Sequence, residues 1–246
     1  IAQCLVGSEM CIRDRYHIIS GDVMKKLLIV FICSILAFAG AFYLCDKADE
    51  SISYVVGYKH NRPVIVIDAG HGGVDVGTVG IDGCAEKEIN LSIALDLYDF
   101  LSVCGYDCKL TRAGDYEVFA DNEERTKSDL YNRMDYINSF SPCVLISVHQ
   151  NHFENESEHG TQIWYSPNDS KSKDIANSVL SSVKKNLQPD NTRENKQSDD
   201  SYYLLYKAKN PSFMIECGFM SNTEENKKLQ NPEYLSLIHI SEPTRH

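Results

Sequence analysis

The chain has 246 residues and a formal net charge of -11, with 43% hydrophobic and 24% charged side chains. That balance excludes a disordered chain and allows one domain of ordinary size plus a targeting segment. Nucleic acid is excluded as a partner on charge, since a phosphate-binding domain carries a basic face, and tight binding to other anionic polymers is disfavoured for the same reason.

Residues 1–23 and 236–246 show neither a hydrophobic period nor a helix cap. Their stretches CLVGSEMCIRDR and SLIHISEPTRH resemble translated adapter sequence, and both ends are expected to lie outside the fold. Met24 then begins residues 24–45, where Lys25 and Lys26 precede an uncharged run from Leu27 to Cys45. That run is close to the ~20 residues a helix needs to cross a bilayer. Lysines before it and acidic DKADE after it predict an inside N-terminus, an outside domain and membrane attachment through this segment. Ala37-Phe38-Ala39 also offers a signal-peptidase site, so anchor and cleaved signal both stay open. Bulky Leu44 before Cys45 argues against lipid attachment. Residues 46–62 read as a polar tether.

The domain is expected over 63–235. Val64 to Ile67 is continuously apolar, as in a strand buried on both faces. Glu86 to Val103 carries apolar residues at 89, 93, 97, 100 and 101, a helical stripe that Gly105 should stop. Tyr106 to Thr111 reads as a strand and Arg112 to Lys127 as a loop. Ser128 to Phe140 reads as a helix with Leu130, Met134 and Ile137 on one face. Val144 to Val148 and Gly160 to Tyr165 read as strands, and Ser170 to Leu187 as a helix. Pro189 to Ser201 is expected to be an exposed loop, and Phe213 to Cys217 the last strand. The alternation predicts an α/β fold: a twisted, mostly parallel sheet of about six strands with helices on both faces.

Of the nine cysteines, Cys84, Cys104, Cys108, Cys143 and Cys217 fall in the domain. Their number is odd and no CxxC pair occurs, so buried free thiols are expected, with a Cys104–Cys108 bridge as the alternative.

Two histidines stand at the C-terminal ends of buried strands, where open α/β sheets bind ligands: His71 after VIVIDAG and His149 after VLISV. With Glu86 at a helix start they offer Zn²⁺ two imidazoles and a carboxylate, leaving one position open. The spacing alone is weak support, because no short motif such as HExxH is present. Glu216 sits inside the apolar run FMIEC, where a carboxylate is costly unless paired, protonated or used.

The pieces IDAGHGGVDVGTVG, EKEINL, LTR, LYNRMDYIN, LISVHQN and FMIECGFMSN occur in that order. With them the chain from about Val64 to Tyr234 resembles the catalytic domain of zinc N-acetylmuramoyl-L-alanine amidases. The resemblance implies that His71, Glu86 and His149 hold Zn²⁺ and that Glu216 is the catalytic acid/base. It favours Glu86 over its neighbour Glu88. The implied substrate is the peptidoglycan glycan strand with its stem peptide, cut between N-acetylmuramic acid and L-alanine by zinc-activated water. Arg112 and Arg133 are expected to anchor strand or helix ends.

The chain departs from the family at Gln150, where a small residue is usual, and His152 nearby offers a competing ligand. The stretch from LQPDN to ECGF most resembles the amidase of endospore formers that prepares cortex peptidoglycan for muramic-δ-lactam. That implies an extracytoplasmic site, such as the forespore intermembrane space, and leaves any activator protein unidentified. A general autolytic or cell-separation amidase is the alternative, and a silent wall-binding scaffold a third.

Overall fold

The computed structural model describes residues 25–26, 28–41, 43, 62–118 and 128–235. The chain divides into two units, Ile1–Gly57 and Tyr58–His246. In the first, residues 25–26, 28–41 and 43 are helical. Among the described residues no helix is long and apolar enough to cross a membrane. The expected tether and both excluded ends fall largely or wholly outside the described residues.

Among the described residues the second unit has six strands: β1 (Val64–Ala69), β2 (Cys108–Leu110), β3 (Cys143–Asn151), β4 (Gln162–Tyr165), β5 (Lys196–Gln197) and β6 (Ser212–Phe219). Its helices are α1 (Glu86–Val103), α2 (Asp129–Asn138), α3 (Ser170–Asn186), α4 (Tyr203–Lys207) and α5 (Thr223–Lys228). The sheet order is β2-β1-β3-β6-β4-β5. Every neighbouring pair is parallel except β4 with β6. The fold is therefore the expected mostly parallel α/β sheet.

Alternation along the strands sorts the core into two layers. Ile65, Ile67 and Ala69 of β1 pack with Val148, Ile215 and Cys217 against Ile89, Ile93 and Ala94 of α1 and Ala176 and Leu180 of α3. On the other face Val66, Cys143 and Leu145 meet Met134 and Ile137 of α2 and Leu204 of α4. Helices cover both faces, which is why β1 and β3 read as continuous apolar runs.

The stripe of α1 works as the sequence implied, with Ile89, Ile93 and Leu101 buried. Gly105 ends that helix in the left-handed region (φ 84°), a conformation that costs a residue with a Cβ. The turn it makes delays pairing, so the expected strand from Tyr106 shrinks to Cys108–Leu110.

Pro189–Ser201 is not wholly a loop. Lys196 and Gln197 pair with Trp164 and Tyr165 as an exposed edge strand, which needs no apolar face and so left no pattern to read. Residues 119–127 of the expected loop lie outside the described residues. None of the domain cysteines is in a disulfide, so the Cys104–Cys108 bridge does not form. Cys108, Cys143 and Cys217 are buried as expected, but Cys104 is exposed, because it caps α1 instead of joining its stripe.

Candidate functional site

From β1 the chain runs to β2 on one side and later to β3 on the other, so strand order reverses between β1 and β3. The crevice above such a point receives the loops of both strands, and ligands bind there. His71 lies in the turn just past β1, and His149 lies near the end of β3.

His71 has φ 61°, the positive-φ residue other than glycine among the described residues. An imidazole-bearing residue there stores about 1–3 kcal/mol of strain, which surrounding bonds must offset. Two buried arginines supply them. Arg112 donates Nε to the Ala69 carbonyl (2.9 Å) and NH2 to those of Gly70 (2.9 Å) and Lys87 (2.8 Å). Arg133 donates NH1 to Ala69 O (2.7 Å) and NH2 to His71 O (2.5 Å).

Arg133 also pairs with Asp68 at 2.7 Å, and Asp68 accepts from Thr111 Oγ1 (2.8 Å) and Ser147 Oγ (2.7 Å). Burial would raise the Asp68 carboxyl, but the Arg133 charge and the Ser147 hydrogen bond hold it below its ordinary value. Both arginines are thus the strand-end anchors expected, and Asp68 beneath them was missed.

Glu86 opens α1, where its charge is favoured by the helix dipole, and is only 2% exposed. Its Oε1 lies 3.1 Å from His149 Nδ1 and accepts from the Gln150 N–H at 2.9 Å. Its Oε2 lies 3.3 Å from His71 Nε2 and accepts from the Thr78 N–H at 2.9 Å. Ligand atoms of His71, Glu86 and His149 all fall within 4.8 Å of one another, and the imidazoles meet edge-on with centroids 4.9 Å apart. Gly70 makes this approach feasible, because a Cβ there would stand 2.2 Å from His149 Cε1.

Asp75, also missed from sequence, accepts from His71 Nδ1 at 2.8 Å and so turns Nε2 towards Glu86. Burial would lower the His71 imidazole. Hydrogen bonds and charge from Glu86 and Asp75 outweigh that and push it up to about 9. Burial would likewise raise Glu86, yet the two histidines hold it well below the carboxylate range.

Glu216 pairs in register with His149 across β3 and β6, so both side chains lie on one face of the sheet. It is half-buried, and its Oε2 is shut off from solvent and accepts no hydrogen bond. Burial pushes its carboxyl up to about 7, helped by the Glu86 charge and opposed by His149 and His71.

Cys217 turns to the opposite layer, and burial pushes its thiol up to about 12, which disqualifies it as a nucleophile. Glu88 and His152 are exposed and outside the cluster, which removes both as competing ligands. The trio's two imidazoles and one carboxylate are a donor set that suits zinc, and the unpartnered Glu216 oxygen beside it suits proton transfer.

A family model described as N-acetylmuramoyl-L-alanine amidase matches residues 65–241. The germination-specific N-acetylmuramoyl-L-alanine amidase of Bacillus subtilis (strain 168) is 29% identical over 175 residues, covering 70% of this chain and 73% of that protein. The CwlD amidase of Clostridioides difficile, solved in complex with the GerS lipoprotein, is 35% identical with a TM-score of 0.67, covering 73% of this chain and 94% of that one. A second N-acetylmuramoyl-L-alanine amidase structure, from Clostridium difficile 630, is 28% identical with a TM-score of 0.65, covering 74% and 92%.

Proposed function

Given that the chain belongs to the N-acetylmuramoyl-L-alanine amidases, enzymes that act on peptidoglycan, we propose that His71, Glu86 and His149 hold zinc and that Glu216 moves the proton. The observation that carries this reading is one carboxylate, Glu86, set between two imidazoles, with the unpartnered Glu216 oxygen across the sheet. Zinc held there would supply the Lewis acidity that polarises a scissile carbonyl and acidifies water. Glu216 Oε2 takes the proton from the attacking water and returns it to the departing L-alanine nitrogen. In the metal-free protein burial pushes this carboxyl up to about 7, and bound zinc would lower it towards the carboxylate form that takes the proton. Asp75 keeps the His71 ring turned, and the two buried arginines keep its backbone in place. No side-chain nucleophile is needed.

The reading extends to a role in spore cortex, as the step before muramic-δ-lactam formation. The germination-specific relative and the CwlD neighbour support it. The lipoprotein bound to that neighbour makes a lipoprotein the class of partner to seek. An extracytoplasmic location, held or delivered through residues 24–45, completes the proposal.

Mass spectrometry of muropeptides tests it, on digests by the purified protein and on a deletion strain. Release of the whole stem peptide, with δ-lactam missing from mutant spores, is expected. Cleavage inside the stem peptide would end the amidase mechanism. Normal spores with unseparated daughter cells would transfer the role to an autolysin.

A further inference from the structure

β3 carries Gln150 directly after His149, where the pairing with β6 shifts register, and its side chain reaches under α1 to Asn90. There it is 4% exposed, on the side of the sheet where Ile89, Ile93, Val148 and Cys217 form the core. A long amide in such a layer is destabilising unless its groups are paired. Half of it is paired: Nε2 donates to Asn90 Oδ1 at 3.0 Å. Its Oε1 is shut off from solvent and accepts no hydrogen bond. An apolar residue of the same length would fill this space without an orphaned oxygen.

The paired half ends at the metal centre. Asn90 is fully buried one turn after Glu86, and its Nδ2 donates both to Glu86 Oε1 (3.2 Å) and to Gly70 O (3.2 Å). A carboxamide can also sit flipped, and the flipped Asn90 would aim its own oxygen at the Glu86 carboxylate. The flipped form would set that oxygen against both the Glu86 carboxylate and the Gly70 carbonyl, and Gln150 Nε2 at Asn90 Oδ1 adds a third bond that favours the unflipped form.

We propose that Gln150 is a positioning residue for metal capture: its side-chain amide fixes Asn90 in the orientation that hands an N–H to Glu86. This rests on the reading of Glu86 as a zinc ligand. The amide is held at a cost to stability for what it does to that carboxylate. It acts through the side chain alone, since the Gln150 backbone N–H reaches Glu86 Oε1 whatever side chain follows.

The test is zinc affinity of the full chain by chelator competition, for wild type, Gln150→Met, Asn90→Ala and the double variant, with thermal melts of each metal-free protein. Gln150→Met should weaken zinc by roughly 10–100-fold, the usual effect of losing an outer partner of a ligand. Its metal-free melting temperature should equal or exceed that of the wild type, and saturating zinc should restore its turnover. On the Asn90→Ala background the same change should cost nothing more, because the two act in series. Gln150→Leu gives a second route should Gln150→Met fail to fold. Unchanged affinity in Gln150→Met, or a loss that adds in full to that of Asn90→Ala, would overturn the proposal. Glu86→Ala separates the layers. If it loses zinc while Gln150→Met does not, only the positioning role fails; if it keeps wild-type affinity, the ligand reading fails too.

Discussion

Replacing Arg133 by methionine should damage the scaffold of the site more than the site itself, and by an amount that depends on pH. Asp68 is 0% exposed and Arg133 2%. The substitution leaves Asp68 its two hydroxyl donors, Thr111 and Ser147, but removes its countercharge. Breaking a buried pair from one side costs about 3–5 kcal/mol, and the surviving hydroxyls argue for the lower end, about 3 kcal/mol. The lost bonds to His71 O and to the partly exposed Asp129 carboxylate add about 1 kcal/mol each, while Ala69 O keeps Arg112. A total near 5 kcal/mol, about 3 plus about 1 plus about 1, lowers the melting temperature of a domain this size by roughly 10–20 °C.

The sign with pH follows from Asp68. In the wild type its carboxyl is held below 3.8, so the pair's contribution is complete above that value and fades only in acid. Without Arg133, burial dominates and raises the carboxyl above its unfolded value, so stability is instead lost as pH rises through the new value. Thermal melts at pH 5 and pH 8 should therefore show a larger deficit at pH 8. Adding Asp68→Asn should recover most of it. A deficit under about 1 kcal/mol, or one equal at both pH values, would refute the reasoning.

Gly70→Ala should strip the metal, because the new Cβ would stand 2.2 Å from the His149 ring and force it aside; metal analysis showing full occupancy would contradict this. Metal affinity should rise with pH up to about 9. The imidazole of His71 is pushed up to that value in the metal-free protein, so below it the metal must displace a proton, about tenfold in affinity per pH unit; chelator competition between pH 6 and 9 measures the slope. His152→Ala should leave metal content and turnover unchanged, since that ring is exposed and outside the cluster.

What could be read in advance follows from which physics leaves a local pattern. The α1 stripe and the β1 and β3 runs repeat within a few residues; α1 has the expected bounds, while β1 runs on to Ala69 and β3 to Asn151, past the apolar residues that mark them. The antiparallel setting of β4 against β6 and the edge strand at Lys196–Gln197 leave no such trace, because direction and edge position are properties of the assembled sheet. Among site residues, Glu216 was legible as a charge inside an apolar strand. The same test applied to VIVIDAG would have found Asp68. Asn90 carried a signal too: a polar residue beside the apolar stripe, one helical turn from Glu86. Asp75 carried none, since an acid in a glycine-rich loop is ordinary until His71 is seen beside it.

The central claim is that a zinc held by His71, Glu86 and His149 works with Glu216 as the proton carrier. Glu216→Gln keeps the shape and removes the proton exchange, so zinc per chain and turnover on muropeptides, measured together on this variant, test it most directly. The account predicts one zinc per chain retained and turnover reduced by roughly 10²–10⁴-fold. Near-normal turnover with zinc in place would contradict it.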